Sequence, residues 1–187
     1  MTKATMPYRE ALPASADVME LLGPCCERIE IVGAIRRLRR CVNDVAIVAI
    51  PKVIPSITGE PWNVLLFEII DREVKSGRWH ARHGHSIHAR SSRYAITGRG
   101  DLQLDITLAM PTQWGVMLAV HTGPADYAQR IVVERYRGGL LEDGYQVQDS
   151  KLWFKNIYEH RLEQVPTPEE DDFLVYAGGW VEPHLRH

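Results

Sequence analysis

Between Arg28 and Pro51 the chain reads RIEIVGAIRRLRRCVNDVAIVAIP: a strand-like run, a glycine, four arginines, and a second, more apolar strand opened by Asp44. A glycine directly after a strand lets backbone N–H groups come close to an anionic ligand, and Arg36, Arg37, Arg39 and Arg40 follow it. The chemistry that suits this spacing is a phosphate cradle. Side chains alternate along a strand, so positions 44 and 46 share a face, and two carboxylates there would form a claw for a divalent cation. Asp44 is present, but position 46 is Ala46.

Other residues could add to that chemistry. Asp105, in LQLDITLA, stands between Leu104 and Ile106, which fits a solvent-facing place on a half-buried strand as well as a ligand site. His80, His83, His85 and His88 invite a zinc reading. Structural zinc usually enlists cysteine, however, and alternation would put His83 and His85 opposite His80 and His88. Donors near phosphate are the better assignment. Cys25, Cys26 and Cys41 are odd in number and two of them are adjacent, so reduced thiols are expected.

The elements that must position these residues follow from periodicity. Residues 8 to 22 carry Val18, Met19, Leu21 and Leu22 near one stripe, a helix stopped by Gly23-Pro24. A strand from Arg28 to Val32 leads into the Gly33 turn. Asp44 to Ile50 is too uniformly apolar for a half-exposed strand and suits a central one. The segment from Pro51 to Gly59 reads as loop, 61 to 75 as an amphipathic helix ended by Ser76-Gly77, and 78 to 99 as strands or a hairpin beside the sheet. Asp101 to Ala109 is the strand carrying Asp105. Pro111-Thr112 opens a helix through Trp114 and Met117, and His121-Thr122-Gly123-Pro124 breaks it at a lobe boundary. A helix from Asp126 to Arg137, two short strands near 145–147 and 152–154, and a capping box at Thr167 to Glu170 complete the chain.

Composition bounds the rest. A chain of 187 residues, 45% hydrophobic and 25% charged, can build one good core and a small second one. No apolar run approaches a membrane span and MTKATMPYRE lacks a secretory signal, so a cytoplasmic protein without membrane contact is expected. The net charge of −2 hides an uneven distribution. From Val74 to Gly100 there is no acidic residue, while Lys75, Arg78, Arg82, Arg90, Arg93 and Arg99 are present; acids concentrate after Glu159. Charge runs are usually solvated faces, yet this one could meet a phosphate backbone.

The motif order resembles the nucleotidyltransferase superfamily, most closely the family X DNA polymerases. The family's pattern is Gly-Ser-x-Arg-Arg, a spacer, Gly-Asp-x-Asp on a strand, and a third Asp on a later strand. Here it stands as Gly33-Ala34-Ile35-Arg36-Arg37, then Asn43-Asp44-Val45-Ala46, then Asp105. WGVMLAVHTGPADY is similar to the family's segment ending in Thr-Gly, and TPEEDDFLVYAGGWVEPHLR to its C-terminal helix and Pro-x-x-Arg tail.

The resemblance implies an α+β fold. Residues 1–120 would form a nucleotidyltransferase palm, a mixed sheet with flanking helices, and 121–187 a small thumb-like lobe, the minimal form without lyase or fingers domains. It implies Asp44 and Asp105 as catalytic carboxylates binding Mg2+ or Mn2+, with Ala46 at the catalytic position of the second carboxylate. Nucleotide contacts would come from Gly33, Ala34, Arg37, Asn43, His121, Thr122, Gly123 and Tyr127, and DNA contacts from Arg82, Arg90 and Arg93. The implied partners are a nucleoside triphosphate and a primed or gapped DNA, the implied work gap filling or end processing, and a monomer is expected. Losing the second carboxylate removes a unit charge about 4 Å from each cation, several kcal/mol at an effective dielectric near 20. A fraction of that implies a loss on the order of 10³-fold. Two other readings stand beside polymerisation: an inactive member that binds DNA or nucleotide, and transfer to RNA or protein. Ala46 is either a carboxylate lost in the lineage or a deliberate truncation of an aspartate.

Overall fold

The computed structural model describes residues 5–55, 61–62, 64–82, 91–98 and 102–187. The chain divides into two compact units, Met1–Ala109 and Met110–His187, one helix earlier than the break at His121 suggests. Among the described residues no helix is long and apolar enough to cross a membrane.

In the first unit the order is β1 (Met6–Pro7), α1 (Tyr8–Leu22), β2 (Cys26–Val32), α2 (Gly33–Arg36), β3 (Cys41–Val42), β4 (Asp44–Pro51), β5 (Ile54–Pro55), β6 (Pro61–Trp62), α3 (Val64–Lys75), β7 (Trp79–Ala81), β8 (Ser91–Ile96) and β9 (Gln103–Leu108). Five strands form one mixed sheet in the order β2-β4-β9-β8-β7, in which only β4 and β9 run parallel. Two-residue ladders join β1 to β3 and β5 to β6. Within the loop expected over 51–59, Ile54–Pro55 pair with Pro61–Trp62 while 56–59 lie outside the described residues, and the helix begins at Val64 rather than 61 because Pro61 and Trp62 are extended.

One core holds this unit together. Ala11, Ala14, Val18 and Leu22 of α1 and Leu66 and Ile70 of α3 cluster with Val45, Ile47, Ala49, Leu104, Ile106, Tyr94 and Trp79. Burying each large aliphatic side chain contributes about 1.5–3 kcal/mol. Residues of odd number on β4 and even number on β9 thus face the helices, which puts Asp44 and Ala46, with Gln103 and Asp105, on the opposite face. Cys25 and Cys26 are buried, Cys41 is exposed, and all three are free thiols. Burial pushes the Cys26 thiol up to about 11, so it is protonated near neutrality.

The second unit is built from α4 (Trp114–Thr122), α5 (Ala125–Val132), β10 (Tyr145–Gln148), β11 (Lys151–Asn156), β12 (Arg161–Val165) and α6 (Glu170–Leu174). Its three strands pair antiparallel in sequence order, and its core gathers Val116, Ala119, Tyr127, Ile131, Leu141, Leu152, Phe173 and Leu174. Sequence pattern finds two of those strands and misses β12, whose RLEQV is mostly exposed and carries no apolar alternation. The helix expected to reach Arg137 ends at Val132, since Val133 and Glu134 are extended, and Arg135–Arg137 forms a separate 3-10 turn closed by left-handed Gly138. The capping box of α6 runs from Glu169 to Asp172 rather than from Thr167, with the Glu169 N–H donating to Asp172 Oδ2 at 2.9 Å.

Candidate functional site

Strand register builds the site. Val32 on β2 pairs with Ala46 on β4, Ala46 pairs with Asp105 on β9, and Asp105 pairs with Arg93 on β8. Paired residues point to one face, so a single row crosses four strands on the side away from α1 and α3. Asp44, paired with Gln103, lies one step along the same face and is therefore a diagonal neighbour of Asp105.

The glycine turn closes over one end of that row. Gly33 follows Val32 immediately and adopts φ +66, a left-handed conformation that side chains with a Cβ rarely take. A Cβ on Gly33 would stand 3.4 Å from the Cβ of Ala46. The chain then winds through α2, where the Arg37 N–H donates to the Gly33 carbonyl at 3.1 Å, and Leu38 turns left-handed at φ 54. Ala34, Arg36 and Arg37 are half-buried on this turn and Asn43 is exposed at the mouth of β4. The sheet thus gathers Gly33, Ala34, Arg37, Asn43, Asp44, Ala46 and Asp105 at one end of β4.

Arg93 is where the structure adds most to the sequence reading. Expected to meet DNA, it donates from Nε to Asp105 Oδ1 at 2.8 Å and from Nη2 to Oδ2 at 3.0 Å. Gln103 Nε2 donates to the same Oδ1 at 2.7 Å. These bonds and the nearby charges of Asp105 and Asp44 push the guanidinium further up from its already high value, so it is cationic throughout. No local signal marks this pairing, because it depends on how far β8 slides along β9. Arg82 is exposed, its backbone N–H donating to the Arg93 carbonyl at 3.0 Å, and Arg90 lies outside the described residues. Arg78, in the same acid-free stretch, is spent on Glu73, with Nη2 2.6 Å from Oε1.

The fit to divalent cations can be tested on this donor set. Position 46 offers a methyl group, and both Asp105 oxygens already accept N–H groups from Arg93 and Gln103. Among the described residues no three His, Cys, Asp or Glu side chains gather into a metal-holding group. The residues as they stand do not fit the two-cation centre that the resemblance implies. His80 is exposed on β7, and His83, His85 and His88 lie outside the described residues, so the zinc question does not reach this row.

The remaining expected nucleotide contacts belong to the second unit. Thr122 is buried at the end of α4, and Gly123 caps that helix, its N–H donating to Ala119 O at 3.3 Å. A Cβ on Gly123 would come within 2.6 Å of the Tyr127 ring, so glycine is needed there for packing. Tyr127 is itself buried, 5.5 Å from the guanidinium of Arg186, and burial raises its hydroxyl above the ordinary tyrosine range. His121 is half-buried beside them. Thr122 and Tyr127 thus serve the packing of their own unit.

A cleft of about 310 Å³ opens elsewhere in the first unit, lined by Ala14, Val18, Leu21, Trp79 and the Glu73–Arg78 pair. It lies on the helix side of the sheet and includes none of the row described above. Shape and chemistry point to different places, and the carboxylate row carries the functional argument because its residues converge by register. No protein-family model matches the chain, and a search of the curated proteins finds no match.

Proposed function

We propose that the first unit is a nucleotidyltransferase palm of the family X polymerase kind, acting on a nucleoside triphosphate and a DNA 3′ end in gap filling or end processing, with transfer impaired by Ala46. The observation that carries this reading is the row through Ala46 and Asp105, with Asp44 diagonal to it and left-handed Gly33 packed over position 46. Those residues come from three separated stretches and meet at one sheet end. A phosphate-binding turn and two carboxylates have little structural reason to converge there, and a nucleotide supplies one. In this arrangement the turn from Gly33 to Arg37 receives phosphates, and Arg93 and Gln103 hold Asp105 in a fixed orientation. No transfer step is assigned to the residues as they stand.

A second reading is favoured by one observation. Arg93 covers both oxygens of Asp105, which suits a protein that binds nucleotide or DNA without turning it over. Both readings place the ligand on the same row. Amide NMR of the labelled protein titrated with dATP tests that shared placement. Shifts should concentrate on residues 32–37, 44–46 and 103–105. A saturating titration that leaves those amides still while moving others would defeat the assignment.

A further inference from the structure

The donor set that fails as a metal centre has a consistent charge pattern of its own. Arg93 pairs with Asp105 side-on, through Nε and Nη2, so its Nη1 edge makes no hydrogen bond among the described residues. Its side chain is 40% exposed against 22% for Asp105, so the guanidinium is the more open member of the pair. Arg36 and Arg37 belong to the turn that packs against β4. Across α2 with its C-cap and the paired rows of the sheet, Arg36, Arg37 and Arg93 stand against two carboxylates, Asp44 and Asp105. With an aspartate at 46 the two signs would balance, and a polyanion would then need a cation brought from solution. With Ala46 the site carries that excess positive charge in its own side chains.

We propose that this site binds the polyphosphate of a nucleoside triphosphate without a divalent cation, with Arg93 supplying through its Nη1 edge the positive charge that a metal would otherwise bring. This rests on the placement of a nucleotide at the carboxylate row. Guanidinium suits the task because its planar fork can hold a carboxylate on one edge and a phosphate on another while remaining charged. Asp105 then acts as a positioning residue that aims Arg93. Ala46 does more than remove a ligand, since it changes which cation the site uses.

Calorimetric titration of the full chain with dATP, and separately with inorganic tripolyphosphate, decides the matter when run in EDTA and again in Mg2+. The expected result is binding of both ligands in EDTA, with affinities within about threefold of those in Mg2+. Arg93→Gln should weaken binding in EDTA about tenfold, the loss of one charge-assisted contact. Arg93→Lys should fall between, and Ala46→Asp should make binding depend on Mg2+. Thermal unfolding of each variant shows whether it is folded, and if Arg93→Gln is not, Arg93→Lys and Ala46→Asp carry the test. Binding that appears only with Mg2+ overturns the inference while leaving the nucleotide site in place. So does an Arg93→Gln variant that binds like the parent, or binding of dATP without tripolyphosphate. Absence of binding in both buffers would overturn the nucleotide site and this inference together.

Discussion

A Cβ on Gly33 would stand 3.4 Å from the Cβ of Ala46, and the backbone at Gly33 is left-handed with φ +66. The conformation is what requires glycine at 33, since the contact by itself is an ordinary van der Waals one. Gly33→Ala should destabilise the first unit by about 1–2 kcal/mol through its φ. Denaturant unfolding measures this, and an unchanged midpoint would mean that the turn re-forms without the left-handed residue.

Arg186 anchors the second unit. It is fully buried, with Nη1 donating to Glu170 Oε1 at 2.6 Å, Nε to Val181 O at 2.9 Å, and its guanidinium 5.5 Å from the rings of Tyr127 and Trp180. Removing one partner leaves a buried charge uncompensated, so Arg186→Met should cost about 3–5 kcal/mol. Adding Glu170→Met should recover part of that loss, because the orphaned carboxylate goes too. A double variant less stable than the single one would contradict this account.

Glu73 gives the protein an acid limb. It is 2% exposed, and the hydrogen bonds from Arg78 hold its carboxyl below the ordinary glutamate value. A depressed folded value stabilises at pH above the unfolded value, and that stability is lost as pH falls through the folded one. Glu73→Gln should therefore lower stability at neutral pH by about 1–2 kcal/mol, discounted because Arg78 is mostly exposed. It should also make the decline below about pH 5 shallower, as read by unfolding at stepped pH. A parallel decline in both proteins would show that Glu73 is not the group responsible.

The acid-free stretch separates into arginines with different work. Arg82 is exposed, while Arg78 and Arg93 hold Glu73 and Asp105. If duplex DNA is bound, Arg82→Ala should reduce the slope of log affinity against log salt by about 0.9, and Arg78→Ala should leave it nearly unchanged. Equal effects from the two variants would mean that the ion pair at Glu73 opens on DNA.

Local signals carried most of the first unit. The apolar run from Val45 to Ile50 identified a central strand, and Gly33 between a strand and an arginine run identified the turn. Side-chain alternation put Asp44 and Ala46 on one face, as the sheet does. Illegible were features fixed by pairing between distant stretches. The β8 register that brings Arg93 to Asp105 has no mark in either strand, so the sequence offers Arg93 only as a DNA-contacting arginine. The burial of Thr122 and Tyr127 is equally unmarked, because it depends on packing among distant stretches of the second unit. β12 is unmarked because its two apolar residues, Leu162 and Val165, fall on opposite faces.

We propose this sheet end as a nucleotidyl-transfer site short of one carboxylate. Its most direct test is extension of a primed, gapped DNA by Ala46→Asp in Mg2+ with all four deoxynucleoside triphosphates, measured beside the parent and beside Ala46→Asp with Asp105→Ala. The account predicts metal-dependent addition by the single variant, faster than the parent by on the order of 10³-fold, and none by the double variant. A folded Ala46→Asp protein as inert as the parent would contradict it.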